Sequence, residues 1–268
     1  MSVRRHLSAD ARIYDSERLA SRYAVDRPKV HVAICARLFT ALPQDYAARR
    51  ALDIGCGAGA SAVAVAPYVS HVTGVDPHAA MLRLAQSALP DASFIGGYAE
   101  ALPVKSRGYD IITAAGSLNY ADVHAALSEV SRVLTPGGYF APYDFSTGRV
   151  SIESSQSAAC FRTFERTFPW PPGYSLDLSA LPYREHGLTL LTHEEFLVDI
   201  EMSQVEYIRY IMSETNVETA IANGMSESNA WDACWKTFEP LFSSGSEPVT
   251  LRAVLALARA VAEADSSE

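Results

Sequence analysis

From Arg50 onward the chain alternates short apolar runs with segments of helical period, and that alternation most narrows the folds open to it. The runs are Ala51 to Ile54, His71 to Val75, Ala92 to Ile95, Tyr109 to Ala115 and Tyr139 to Tyr143. Runs this short and this continuously apolar suit strands buried on both faces, and the helical stretches between them supply the crossovers that parallel neighbours need. The helices have readable ends: Ala60 to Ala66 stops at Pro67, His78 to Ala88 near Pro90, and Ala121 to Leu134 at Pro136-Gly137-Gly138. A strand from Phe196 to Ile200, a helix from Gln204 to Ala222 and a last strand from Thr250 to Leu257, where helix is an alternative, complete the expectation. It is an α/β fold, a Rossmann-like, doubly wound, mostly parallel sheet of seven strands.

Outside that rhythm lie two segments. Residues 10 to 42 carry apolar positions near a 3.6 period, so 1–45 reads as a helical lead-in. Residues 147–184 hold Phe161, Phe164, Phe168, Trp170, Tyr174 and Tyr183 among prolines, and read as a cap inserted over an acceptor site. The sheet domain is then 46–146 together with 185–268.

The chemistry concentrates in Leu52-Asp53-Ile54-Gly55-Cys56-Gly57-Ala58-Gly59-Ala60-Ser61. This glycine turn leaves the first strand and opens a helix, at the strand end where open α/β sheets bind ligands. Glycine there lets the backbone approach a ligand with no Cβ between. The second strand ends in Asp76, whose carboxylate can accept two hydrogen bonds from the vicinal hydroxyls of a ribose. The spacing also tolerates a dinucleotide site, so an NAD-dependent oxidoreductase stands as an alternative. Asp53 weighs against it, because a carboxylate beside that turn would oppose pyrophosphate but could orient an ammonium group or the loop itself.

As an ordered set these motifs resemble a known family. LDIGCGAGAS resembles motif I of the class I S-adenosylmethionine-dependent methyltransferases and VTGVDPHAAML resembles motif II. FIGGYAEALPVKSRGYDIITAAGSLNYAD and SRVLTPGGYF resemble the third to fifth strands of the branch that contains the ubiquinone-biosynthesis and trans-aconitate methyltransferases. The resemblance implies S-adenosylmethionine as cofactor. Gly55, Gly57 and Gly59 would line its methionine part and Asp76 would hold the ribose, with Asp53 also expected among the cofactor-binding residues. Met81, Ala99 and Glu100 would border the adenine, and Ala115 and Gly116 would end the fourth strand beside the sulfonium. Where most relatives have Gly-Asp-Ala-Glu this chain has Gly97-Tyr98-Ala99-Glu100, so Tyr98 replaces an acid that commonly meets the adenine amino group.

On the acceptor side, Asn119, Tyr120, Tyr143 and Asp144 fall at or just after the ends of the fourth and fifth strands, and are the catalytic candidates. Asn119-Tyr120 stands where trans-aconitate-like relatives carry His-Trp, which removes an obvious base. Methyl transfer by in-line displacement needs mainly alignment and exclusion of water. The segment SRYAVDRP resembles the lead-in of the same relatives, so Tyr23 joins Trp170, Ser213 and Asn216 as expected substrate-binding residues.

A formal net charge of -9 argues against nucleic acid as substrate. The expected partner is a small-molecule methyl acceptor, the chain being monomer or homodimer. A protein that keeps the pocket without catalysis is a further alternative. No apolar h-region follows Arg4 and Arg5, and Val249 to Ala262 is interrupted by Arg252 and Arg259; the expected setting is cytoplasmic, away from membranes. The four cysteines are far apart, and the histidines show no metal spacing, so neither disulfides nor a metal is expected.

Overall fold

The computed structural model describes residues 17–146, 155–170, 176–242 and 245–261. Their contacts divide into two units. A sheet unit takes the described residues of Lys29–Phe145, Ser175–Phe196 and Ala253–Glu268, and a helical unit those of Met1–Pro28, Ser146–Tyr174 and Leu197–Arg252.

Seven strands form one sheet: β1 (Arg50–Ile54), β2 (His71–Asp76), β3 (Ser93–Gly96), β4 (Tyr109–Ala115), β5 (Leu134–Ser146), β6 (Leu188–Ser203) and β7 (Ser246–Ala260). Their order is β3-β2-β1-β4-β5-β7-β6, parallel from β3 to β5 with one antiparallel hairpin. The chain steps outward from β1 to β2 and β3, then returns to β4 on β1's other side, so β1 and β4 flank the switch point where such sheets bind ligands. Along β1 only Arg50 is exposed, as expected of a central strand covered on both faces. Helices α2 (Val30–Ala41), α3 (Ala60–Val65), α4 (Ala79–Ala88) and α5 (Val123–Val133) belong to this unit. Asp122 caps α5, its Oδ1 accepting from the Ala125 N–H at 3.0 Å.

Several boundaries differ from the sequence reading. β5 begins at Leu134, so Pro136-Gly137-Gly138 lies within the strand; a register irregularity opposite Tyr109 to Ile111 absorbs it. The lead-in divides at Pro28, its second helix joining the sheet unit. Residues 176–184 also belong there and not to an insertion, because Leu178, Leu181 and Tyr183 pack into the core with Ile54, Ile112, Leu127 and Phe140.

In the helical unit, α1 (Glu17–Asp26), α6 (Ser155–Thr167), α7 (Gln204–Met212), α8 (Thr215–Ala222) and α9 (Glu227–Phe238) share an aromatic core. The Phe238 ring lies 5.1 Å from Tyr207 and 5.4 Å from both Phe161 and Phe164, the spacing of offset and edge-on aromatic pairs. The single helix expected over 204–222 is broken at Ser213 and Glu214. There the Ser213 hydroxyl donates back to the Tyr210 carbonyl, and Glu214 is extended, its carboxylate 2.9 Å from Arg27. Buried Glu218 is paired with Arg18 and Arg22 of α1. Among the described residues no helix is long and apolar enough to cross a membrane.

Candidate functional site

The turn from β1 into α3 is built from inside. Asp53 is fully buried; its Oδ1 accepts the Thr113 hydroxyl of β4 at 2.8 Å and its Oδ2 the Ser61 hydroxyl of α3 at 2.5 Å. Both carboxylate oxygens are therefore engaged by hydroxyls of the neighbouring strand and of the helix that the turn opens. Burial pushes its carboxyl up to about 6, against the pull of those two hydroxyls.

Two of the glycines serve distinct needs. Gly55 has φ +66°, and a Cβ on it would stand 2.3 Å from Cβ of Ser117, the residue after Gly116. Ser117 is itself fixed, its hydroxyl donating to the Ile54 carbonyl at 2.6 Å. Gly57, at φ +52°, has open space where its Cβ would be, with no atom within 4 Å. Gly59 stands at the N-cap of α3. Asp76, at the end of β2, accepts the Gly57 N–H at 3.0 Å on Oδ2 and the His78 N–H at 2.8 Å on Oδ1. Asp76 and the open glycine are thus joined by one hydrogen bond.

Met81 is buried on α4, and Ala99 packs against the sheet core. Glu100 accepts the Asp122 N–H at 2.8 Å, tying the segment after β3 to the start of α5. Tyr98 is half exposed. The same segment is gripped by a pair on α5. Glu129 accepts the Leu102 N–H at 2.7 Å, and Arg132 donates to the Leu102 and Val104 carbonyls, each at 3.0 Å. Arg132 also holds the Glu129 carboxyl below its usual range.

At the ends of β4 and β5, Ala115 and Gly116 lie beside Tyr143, whose carbonyl accepts the Gly116 N–H at 2.8 Å. Asn119 donates to Asp144 Oδ2 at 3.2 Å, and Asp144 Oδ1 accepts the Phe145 N–H at 2.8 Å. Tyr120 closes the short 3-10 turn Leu118–Tyr120. Tyr143 is fully buried, and its hydroxyl sits 2.9 Å from Nδ1 of His31 and in contact with the Cys35 thiol. Burial holds its hydroxyl well above the usual range, so it stays protonated. His31 went unread in the sequence because nothing local links it to a strand end 112 residues away.

The four remaining candidates belong to the helical unit. Ser213 and Asn216 are buried and hydrogen bonded within it, Ser213 to Tyr210 and Asn216 to the Phe168 carbonyl at 2.8 Å. Tyr23 receives a hydrogen bond from Arg27 and lies under its guanidinium, 4.2 Å from the ring centre. Trp170 is partly buried.

A sheet of this order with a glycine turn at its switch point defines a Rossmann-like methyltransferase fold. Residues 52–141 match a family model described as a methyltransferase domain. The chain is 30% identical over 170 residues to the ubiquinone/menaquinone biosynthesis C-methyltransferase UbiE of Campylobacter jejuni, covering 59% of this chain and 71% of that protein. It is 40% identical over 100 residues to the uncharacterized methyltransferase YcgJ of Bacillus subtilis, of which it spans 40%. The crystal structure of that YcgJ protein superposes with a TM-score of 0.52 at 22% identity, over 85% of this chain and 99% of that one. The chain belongs to the class I S-adenosylmethionine-dependent methyltransferases and resembles the UbiE branch. It is an enzyme of that class, with S-adenosylmethionine as cofactor.

Proposed function

We propose that the chain methylates a small-molecule acceptor, with its cofactor lying across the β1–α3 turn and the end of β2. The observation that carries this placement is Gly57, whose missing side chain leaves open space while its N–H is anchored on Asp76. Residues and group fit each other: the turn admits a ligand against bare backbone, and Asp76 Oδ2 retains acceptor capacity for a ribose hydroxyl beside the Gly57 N–H. When bound, S-adenosylmethionine supplies a methyl carbon activated for in-line displacement.

The chain's own residues then align and shield. Gly55 and Gly59 shape the turn, with Met81, Ala99 and Glu100 on its adenine side and Ala115 and Gly116 beside the reacting group. Asn119 and Tyr120, with Asp144 held by Asn119, are placed to orient the acceptor. Tyr143 is buried and supports that strand end from behind through His31 and Cys35. A net charge of -9 favours a small acceptor over a polyanion.

Two measurements test this reading. S-adenosylhomocysteine should raise the melting temperature and NAD should not, since only a ligand of the native state stabilises it by mass action. Asp76→Ala should weaken S-adenosylhomocysteine by about 1 to 3 kcal/mol through lost charge-assisted hydrogen bonds. Unchanged binding in that variant, or stabilisation by NAD alone, overturns the placement. Incubation with labelled cofactor and a host extract should put the label on a low-mass product; label found only on protein or nucleic acid refutes the acceptor class.

A further inference from the structure

A second cluster lies within the sheet unit, made of residues not assigned to the cofactor or the acceptor. His124 on α5 and the pair Glu185 and His186, in the 3-10 turn Tyr183–His186, offer ligand atoms that all lie within 4.8 Å of one another. The geometry points to a binding site for one zinc-type divalent cation held by His124 Nδ1, His186 Nε2 and a Glu185 carboxylate oxygen, with water completing the shell.

The distances suit that role. With metal–nitrogen bonds of about 2.0 to 2.1 Å, the edge of a tetrahedral site is about 3.3 Å. His124 Nδ1 is 3.2 Å from His186 Nε2 and 3.8 Å from Glu185 Oε2. Two imidazoles and a carboxylate form a donor set that zinc accepts with a position left open.

A second, independent observation fixes the chemistry of one ligand. With the Ser128 hydroxyl proton on the His124 carbonyl, 2.9 Å away, its oxygen is left to accept from His186 Nδ1 at 3.1 Å. His186 therefore carries its proton on Nδ1 and presents the Nε2 lone pair to the cluster, the outer hydrogen bond by which metal-binding histidines are oriented. Without cation, His124 Nδ1–H donates to that lone pair; with cation, His124 takes the other neutral tautomer, and no net proton is lost. The frame is firm on both sides. His124 and Ser128 share one face of α5 behind the Asp122 cap, and Tyr183 anchors the turn in the core with its hydroxyl on the Leu178 carbonyl at 2.8 Å. Cation binding would staple α5 to this turn. Sequence spacing could not show the site, because the histidines are 62 residues apart.

The test is titration of zinc, and of cobalt(II) as a spectroscopic probe, into tag-free full-length protein stripped with chelator. The expected result is one equivalent bound, with the intense visible bands of low-coordinate cobalt and a melting temperature that rises with zinc concentration. Both signals should be lost in His186→Ala and in His124→Ala, while Ser128→Ala should weaken binding about tenfold. Because His124 and Ser128 are exposed and His186 is only partly buried, these variants should fold, and unchanged circular dichroism checks it. Absence of binding by the parent, or binding that persists in both histidine variants, overturns the proposal. None of these readouts depends on methyl transfer.

Discussion

Replacing Gly55 with alanine separates two physical effects that the glycine turn combines. The first is backbone strain: at φ +66° an L-residue is held in the left-handed region at about 1 to 2 kcal/mol. The second is overpacking, because the new methyl would stand 2.3 Å from Ser117 Cβ and 2.9 Å from its hydroxyl, and forcing a methyl into a filled site costs about 1 to 3 kcal/mol. Together they remove about 2 to 5 kcal/mol, a large part of the roughly 5 to 15 kcal/mol typical of a folded chain. Gly57→Ala carries only the first effect, at φ +52° with open space around it. Removing the opposing side chain with Ser117→Gly in the Gly55→Ala background should return the overpacking part. The two single variants and the double variant then form a cycle with a coupling of about 1 to 3 kcal/mol. Urea unfolding followed by far-ultraviolet circular dichroism measures the parent, Gly55→Ala, Ser117→Gly, the double variant and Gly57→Ala. A coupling near zero, or a Gly57→Ala loss as large as that of Gly55→Ala, would refute the reasoning.

Asp53 makes stability depend on pH in a definite direction. Its folded value of about 6 lies above the unfolded value of about 3.9, so its contribution is complete below the latter and lost as pH rises through 6. Between pH 5 and 8 the loss is on the order of 1 kcal/mol; it should be absent in Asp53→Asn, and an equal slope in that variant contradicts the assignment. Arg27→Met leaves Glu214 buried without this partner's charge, which should destabilise the helical unit by about 3 to 5 kcal/mol; a thermal melt unchanged from the parent would count against it.

The strands were readable where burial on both faces leaves an uninterrupted apolar run, as in β1 and β4. Their lengths were not: β5 runs through Pro136-Gly137 because an irregular register accommodates a sequence that otherwise signals a stop. The turn and Asp76 could be singled out as candidates because a glycine-rich loop and a strand-end acid are both local sequence signals. Asp53 stood out in the sequence as a carboxylate beside the turn, but its partners Ser61 and Thr113 could not be read there, since they come from two other elements. The same limit hid His31 and Ser117. In the region read as a cap, aromatic content marked a buried layer but not which core received it, and Tyr183 went to the sheet while Phe161 and Phe164 went to the helices.

The grip of Glu129 and Arg132 on residues 102–104 means that the contour of this connection is moulded by a neighbouring helix as well as by the core packing of Leu102 and Val104. Backbone groups, which every residue type possesses, are what the mould grasps. Position 98 is thereby released from architectural duty, and a tyrosine can stand where relatives keep an acid without altering the path of the chain around it.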